Sequence, residues 1–243
     1  MGWGLLTALT SCNGIFDEVY DEAPTPAEGD IYIDASSWTK WHYLNLHALQ
    51  EVAANGLEPD SAIQTYDIPL EETEAFDADS TGIYTYWYDV FGEGISKYEF
   101  RSSYPIAPQP EPPHWDLAFH RNNVRTNGGE VLQTSITDMS QVGDHSVFAA
   151  QAFVRDTWND LDVWTVQSRM LQGLVGNQRI KVNSELSKWL TLDIPPMPPA
   201  FTHNDHVFIV RFSDGTYAAL RLKNYMSADN VKCHLTIEYK YPL

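Results

Sequence analysis

Residues 114–129 read HWDLAFHRNNVRTNGG, and the rest of the chain is organised around them. Trp115, Leu117 and Phe119 alternate with Asp116, Ala118 and His120. That is the period-2 pattern of a half-buried β-strand. Asn127-Gly128-Gly129 follows, residues that tolerate positive φ, so the strand is predicted to end in a tight reversal. Pro110, Pro112 and Pro113 keep a helix from running into the stretch.

Working outward, most of the remaining signals are also strands. Trp38 to Leu46 alternates apolar and polar residues. The stretch from Val52 to about Asp79 is acidic and reads as loop, broken by Pro59 and Pro69. Gly82 to Phe91 and Ser96 to Tyr104 read as an aromatic hairpin around Gly92 and Gly94. Val131 to Ile136, Ala149 to Val154 and Asp162 to Val166 are shorter strand-like runs. Ser168 to Gln172, a Gly-containing stretch through Gly173, Gly176 and Asn177, and then Arg179 to Val182 and Leu186 to Leu192 have the pattern of a projecting hairpin with few core signals, and Pro195-Pro196-Met197-Pro198-Pro199 is a rigid extended segment. Val207 to Phe212 and Tyr217 to Leu222 flank Asp214-Gly215, a hairpin turn signal, and Leu235 to Tyr241 closes the chain as a strand.

Composition bounds the function. The chain has 243 residues with 43% hydrophobic and 20% charged residues, ordinary for a globular domain with a substantial core. Its 8 Trp, 13 Tyr and 10 Phe favour strands. A net charge of −18 argues against nucleic acid as a partner, since phosphate binding needs a basic face. It also argues against docking on an anionic leaflet through a polybasic patch. Enzyme signatures such as G-x-S-x-G, H-E-x-x-H, C-x-x-C and the Walker loop are absent from the sequence. His203-x-x-His206 has metal-like spacing, but it sits beside Asn204 and Asp205 before a strand and reads as a solvated loop. His42 and His47 read as ordinary strand histidines, on the surface or hydrogen-bonded in the core.

The start of the chain has its own logic. A short apolar run ends in Leu9-Thr10-Ser11-Cys12, which resembles a bacterial lipobox with Cys12 as the lipidated residue. No basic n-region precedes it, and the run is too short to span a bilayer, so the expected anchor is lipid. Asp17, Glu18, Asp21, Glu22, Pro24 and Pro26 then make an acidic tether. This divides the chain into a signal segment 1–12, a tether 13–30 and a β domain 31–243 with an insertion around 52–110. Acylation of Cys12 would leave Cys233 without a disulfide partner.

The W-D-x-A-x-H-R…T-N-G-G pattern of Trp115 to Gly129 resembles the HmuY-like haemophore lipoproteins of anaerobic bacteria. So do the Trp38–Leu46 strand, Val207 to Arg211, Asn224-Tyr225 and Tyr239-Lys240-Tyr241-Pro242. The resemblance covers roughly Asp34 to Leu49 and Pro113 to Leu243, about three fifths of the chain. One departure is Cys233, where a small turn residue such as Gly is expected.

The resemblance implies an all-β fold: a single antiparallel sandwich-like domain with a projecting hairpin over a haem groove. It implies a non-enzymatic protein that captures haem (iron protoporphyrin IX), with host haem proteins as possible sources, and passes it to a TonB-dependent outer-membrane receptor. The expected location is the outer membrane, lipid-anchored and exposed at the cell surface.

In the family, haem is gripped between a hairpin region before the last third and the loop preceding the Val207 strand, and in well-known members these bring two histidines. Here neither segment holds a histidine; they offer Met170 and Met197. Haem iron accepts thioether ligands, so a Met170–Met197 pair is what the resemblance implies, with Arg169, Arg179 or Lys181 as contacts for the propionates. Each methionine also reads as a core filler, and each cation as a solvated hairpin charge. Met139 is a further candidate ligand, although a Met at that place in the family looks structural. Two other functions stay open: a protein- or glycan-binding module using the aromatic insertion Gly82 to Tyr104, and a carbohydrate-active β-sandwich.

Overall fold

In the computed structural model, which describes residues 27–56, 62–69, 82–87, 100–105, 109–158, 163–165, 167, 174–177, 180–193 and 199–243, the opening motif forms a strand at Leu117–His120. All four of its residues are buried, where alternation predicts burial of one face. The reason is its place in the fold. It is an inner strand of a four-stranded antiparallel sheet ordered Ile63–Asp67, Lys40–Leu44, Leu117–His120, Asn123–Thr126, and both faces of that sheet are covered. Leu117 and Phe119 join the main core, while Ala118 packs into a second cluster with Trp41, Tyr43, Trp115 and Val182.

The strand ends earlier than Asn127. Arg121, at φ +53°, turns the chain with Asn122, and Asn123–Thr126 returns beside Leu117–His120. The turn is fastened by its own side chain. The Arg121 guanidinium donates to the Ser36 carbonyl at 2.7 Å and lies 3.6 Å above the Trp38 ring. The expected reversal at Asn127-Gly128-Gly129 then carries the chain into the other sheet. Gly128 has φ +74°, and a Cβ on Gly129 would stand 3.0 Å from the Arg211 carbonyl oxygen.

That second sheet has six strands in the order Ala27–Asp34, Lys232–Tyr241, Tyr217–Met226, Phe208–Arg211, Glu130–Gln133, Val154–Arg155, again with antiparallel pairing. Phe208–Arg211 and Tyr217–Met226 form the predicted hairpin, with Gly215 at φ +90° in its turn. The main core includes Ile31, Leu220, Leu235 and Ile237 from this sheet and Leu44, Leu117 and Phe119 from the other, so the architecture is an all-β sandwich. Ala27–Asp34 begins before Ile31, inside the segment read as tether. Cys233 lies at φ +68°, the left-handed backbone that favours glycine, with its thiol buried. A glycine-type position occupied by cysteine accounts for the departure seen in the sequence.

Two elements escaped the sequence reading. Leu46–Ala54 is a helix and Ile63–Asp67 a strand, in and around the stretch read as loop. Asn45 Oδ1 accepts from Ala48 N at 2.9 Å and Asp116 Oδ2 from Leu46 N at 2.6 Å, which satisfies the first free amides of the helix.

The aromatic insertion forms its hairpin, Gly82–Trp87 against Phe100–Pro105. Leu174–Asn177 adds to its other edge and makes a three-stranded sheet. Lys181–Val182 pairs with Thr157–Trp158, and Leu190–Asp193 pairs with Ala200–His203. The region read as one projecting hairpin therefore distributes its described strands among three small sheets.

Candidate functional site

The segment leading toward Met170 and the strand leading toward Met197 border one cleft of about 200 Å3. Asn122 comes from the Arg121 turn, Trp164 from residues 163–165, Ser187 and Lys188 from a 3-10 turn, and Thr191 and Leu192 from the Leu190–Asp193 strand. Trp164 is buried, and its indole Nε1 has no hydrogen-bond partner among the described residues. An unpaired buried N–H is costly and invites an acceptor.

His120 fixes this wall. Its Nε2 stands 3.0 Å from the Trp164 carbonyl and its Nδ1 3.1 Å from the Lys40 carbonyl. A neutral imidazole donates to only one of them. Protonation would satisfy both, but at the cost of a charge in the core. Burial wins, and pushes the His120 pKa down to about 4 against the pull of the two carbonyls. His120 is thereby a structural tie, not a group free to meet a ligand.

Lys181 lies elsewhere. It lines a cleft of about 440 Å3 with Glu111, Trp115, Arg125, Arg155 and Asp156. Arg125 donates to Glu111 at 2.7 Å, and its guanidinium faces the Trp115 ring at 5.0 Å. Asp156 is held by Thr126 N at 2.7 Å, Thr126 Oγ1 at 2.9 Å and Asn183 Nδ2 at 3.0 Å. Burial nevertheless raises its pKa. This network ties the T-N-G-G reversal to the Lys181–Asn183 segment, a role that sequence periodicity does not display.

The other nominated residues separate clearly. Met139 opens a 3-10 turn and packs against Val142, Phe148, Val207 and Ile209, as a core filler does. His203 Nε2 lies 2.7 Å from the Leu222 carbonyl, and His206 Nδ1 2.6 Å from Asn204 Oδ1. Met170, Met197, Arg169, Arg179 and Cys12 lie outside the described residues. Among the described residues no group of three or more His, Cys, Asp or Glu is placed to hold a metal ion, and no helix is long and apolar enough to cross a membrane.

Comparison with known proteins places this geometry. The HmuY protein family matches residues 37–239. The chain belongs to the HmuY family. A structure from Bacteroides vulgatus described as an HmuY-like heme binding protein is 30% identical, with a TM-score of 0.59 over 89% of this chain and 92% of that one. A lipoprotein from Bacteroides fragilis is 31% identical, with a TM-score of 0.59 over 92% and 93%. The apo HmuY analog of Tannerella forsythia shares the fold at 20% identity, with a TM-score of 0.64 over 90% of this chain and 98% of that one. No curated protein matches the chain.

Proposed function

We propose that this protein is a non-enzymatic haem-binding lipoprotein of the outer-membrane surface, anchored through Cys12. It takes up haem and delivers it to a TonB-dependent receptor. One observation carries the reading: residues 163–165 and the Leu190–Asp193 strand, which lead into the two segments that offer Met170 and Met197, wall the same cleft beside an unpartnered indole N–H. In this reading Met170 and Met197 hold the iron through thioether sulfur. Arg169 or Arg179 meets the propionates, while Lys181, the third cation of that set, lines a separate cleft. Gly82–Trp87 pairs directly with Leu174–Asn177, which ties the insertion to the hairpin region that offers Met170.

Thioether is soft, neutral and has no proton to lose, so it favours ferrous over ferric iron. A histidine ligand, by contrast, weakens as pH falls through about 6.5. Absorption titration with haem should therefore show tighter binding after reduction, persisting into mildly acidic solution. Met170→Ala and Met197→Ala should each weaken binding, and the double variant should lose the six-coordinate ferrous spectrum. Spectra unchanged by either substitution overturn the methionine pair. A chain that gives no haem spectrum at all is instead a protein- or glycan-binding member of the family. Replacement of Cys12 by Ala should release the protein from membrane fractions.

A further inference from the structure

A cluster of polar side chains centred on His47, the second residue of the helix Leu46–Ala54, bridges the two sheets. Its Nδ1 faces Asp116 Oδ2 at 3.6 Å, just ahead of the Leu117–His120 strand. Its Nε2 lies 3.3 Å from Asp214 Oδ2, in the turn between Phe208–Arg211 and Tyr217–Met226, and 2.6 Å from Tyr241 Oη, at the end of the last strand. Tyr241 is buried and meets the imidazole edge to face at 5.1 Å, whereas the His47 and Asp214 side chains are about half exposed. One ring thus touches the four-stranded sheet, the helix and the six-stranded sheet. None of these residues lines the cleft beside Trp164.

Hydrogen-bond direction decides how many protons that ring carries. A neutral imidazole has one N–H and one bare lone pair. With the proton on Nδ1, the Nε2 lone pair faces the Asp214 carboxylate; with it on Nε2, the Nδ1 lone pair faces Asp116. Each neutral form therefore sets a lone pair against an acceptor-only group. The hydroxyls agree. Thr216 Oγ1 donates to Asp214 Oδ1 at 2.7 Å, so toward Tyr241 Oη, 3.4 Å away, it can only accept. Burial pushes the Tyr241 pKa up to about 12, which keeps the phenol protonated. One directed chain then satisfies every group: His47 Nε2–H to Tyr241, Tyr241 O–H to Thr216, and Thr216 O–H to Asp214. A second proton, on Nδ1, is left to meet Asp116.

We propose that His47 is a proton-operated tie between the two sheets: as an imidazolium it engages Asp116 on one side and Asp214 with Tyr241 on the other, and on losing a proton it releases one side. Linkage fixes the sign. A proton that gains two carboxylate partners on folding favours the folded chain at acid pH, and that gain is lost as pH rises through the histidine range. Carboxylate protonation sets the other limit. Burial raises the pKa of Asp116 against the pull of the Leu46 amide and His47. Burial pushes Asp214 the same way but is outweighed by the hydrogen bonds from Thr216 and by His47, which hold its pKa low. As acid is added the tie is therefore lost from the Asp116 side first, and it is strongest between the carboxylate and histidine ranges.

Native-state hydrogen exchange of the full chain tests the tie at the Leu46 amide, which donates to Asp116 Oδ2 at 2.6 Å. Its protection factor, corrected for intrinsic exchange, should be about fivefold greater at about pH 6 than at about pH 8, the scale of partly exposed ion pairs. In His47→Gln, which keeps a neutral hydrogen-bonding side chain at a half-exposed position, the two values should agree. Any contribution of His120 is common to both chains and cancels. Asp214→Asn, a change in an exposed turn, should keep only about twofold of the pH effect. A wild-type ratio no larger than that of His47→Gln overturns the tie. So does an Asp214→Asn ratio equal to the wild-type one, since the ring would then hold only the Asp116 side.

Discussion

Two hairpins frame the cleft beside Trp164, and they are built oppositely. Leu117–Thr126 is almost wholly buried, and its polar groups are tied inward: His120 to two backbone carbonyls, Thr126 to Asp156. Leu190–His203 is a two-stranded ladder in which only Leu190 is fully buried among the described residues. Phe201 is partly buried and meets Tyr225 at 5.8 Å between ring centroids. The sandwich thus supplies one rigid wall and leaves the other with few apolar contacts. Segments that open for a ligand are drawn from the weakly held end of a structure.

The comparison is broken most directly by making the same substitution in both hairpins. Phe119 is fully buried and stacks on Trp189 at 5.8 Å, so Phe119→Ala should cost about 3–5 kcal/mol. Phe201→Ala, at a half-open site, should cost roughly 1 kcal/mol. Urea unfolding at constant m-value measures both. Equal losses would mean that the second hairpin is as much core as the first.

His120 sharpens the same contrast through pH. Its pKa falls from the ordinary 6.5 to about 4 on folding. Between those values the unfolded chain binds the extra proton, so stability is full above about 6.5 and declines as pH drops toward 4. The span corresponds to about 3 kcal/mol at most. His120→Gln should lower stability at neutral pH and remove this part of the pH slope, while the haem spectrum of the folded protein stays unchanged. A haem band lost without any loss of stability would put His120 against the ligand.

Most of the sandwich was legible in the sequence because its strands carry strong period-2 patterns and its last hairpin has an Asp-Gly turn. What escaped was local or non-local in identifiable ways. The helix Leu46–Ala54 continues directly from a strand; its signals were Asn45 as cap and Gly56, at φ +65°, just beyond its end. The turn at Arg121 uses a non-glycine residue at positive φ, held by Ser36 and Trp38 from far along the chain. The site was less legible still. Trp164 stands out because its indole nitrogen has no partner among the described residues, and an absent partner leaves no mark in a sequence.

Asp156 joins the buried hairpin to the segment that carries Lys181. Asp156→Asn keeps the size but converts an acceptor of three hydrogen bonds into a group that cannot accept them all. It should cost about 1–3 kcal/mol. Hydrogen exchange should rise at Thr126 and Asn183 together if the network is one unit. Faster exchange confined to Thr126 would show that the Lys181–Asn183 segment is held by other means.

The smallest expected stability change is the most telling about the cleft. Lys188 lines it beside Trp164 and pairs with Glu185 at 2.5 Å, three residues back in the same turn. The lysine side chain is 55% exposed. Solvent screens such a pair, and holding two long side chains in one geometry costs entropy, so Lys188→Ala should change stability by no more than about 0.5 kcal/mol. Its effect on ligand should be larger in proportion. A haem carboxylate entering the cleft would meet this ammonium, and an ion pair in a partly water-excluded cleft is stronger than one on the open surface. Lys188→Ala should weaken haem binding several-fold and leave the dimethyl ester of haem, which lacks carboxylates, bound as before. Equal weakening of both ligands would mean that Lys188 acts through the shape of the turn and not through its charge.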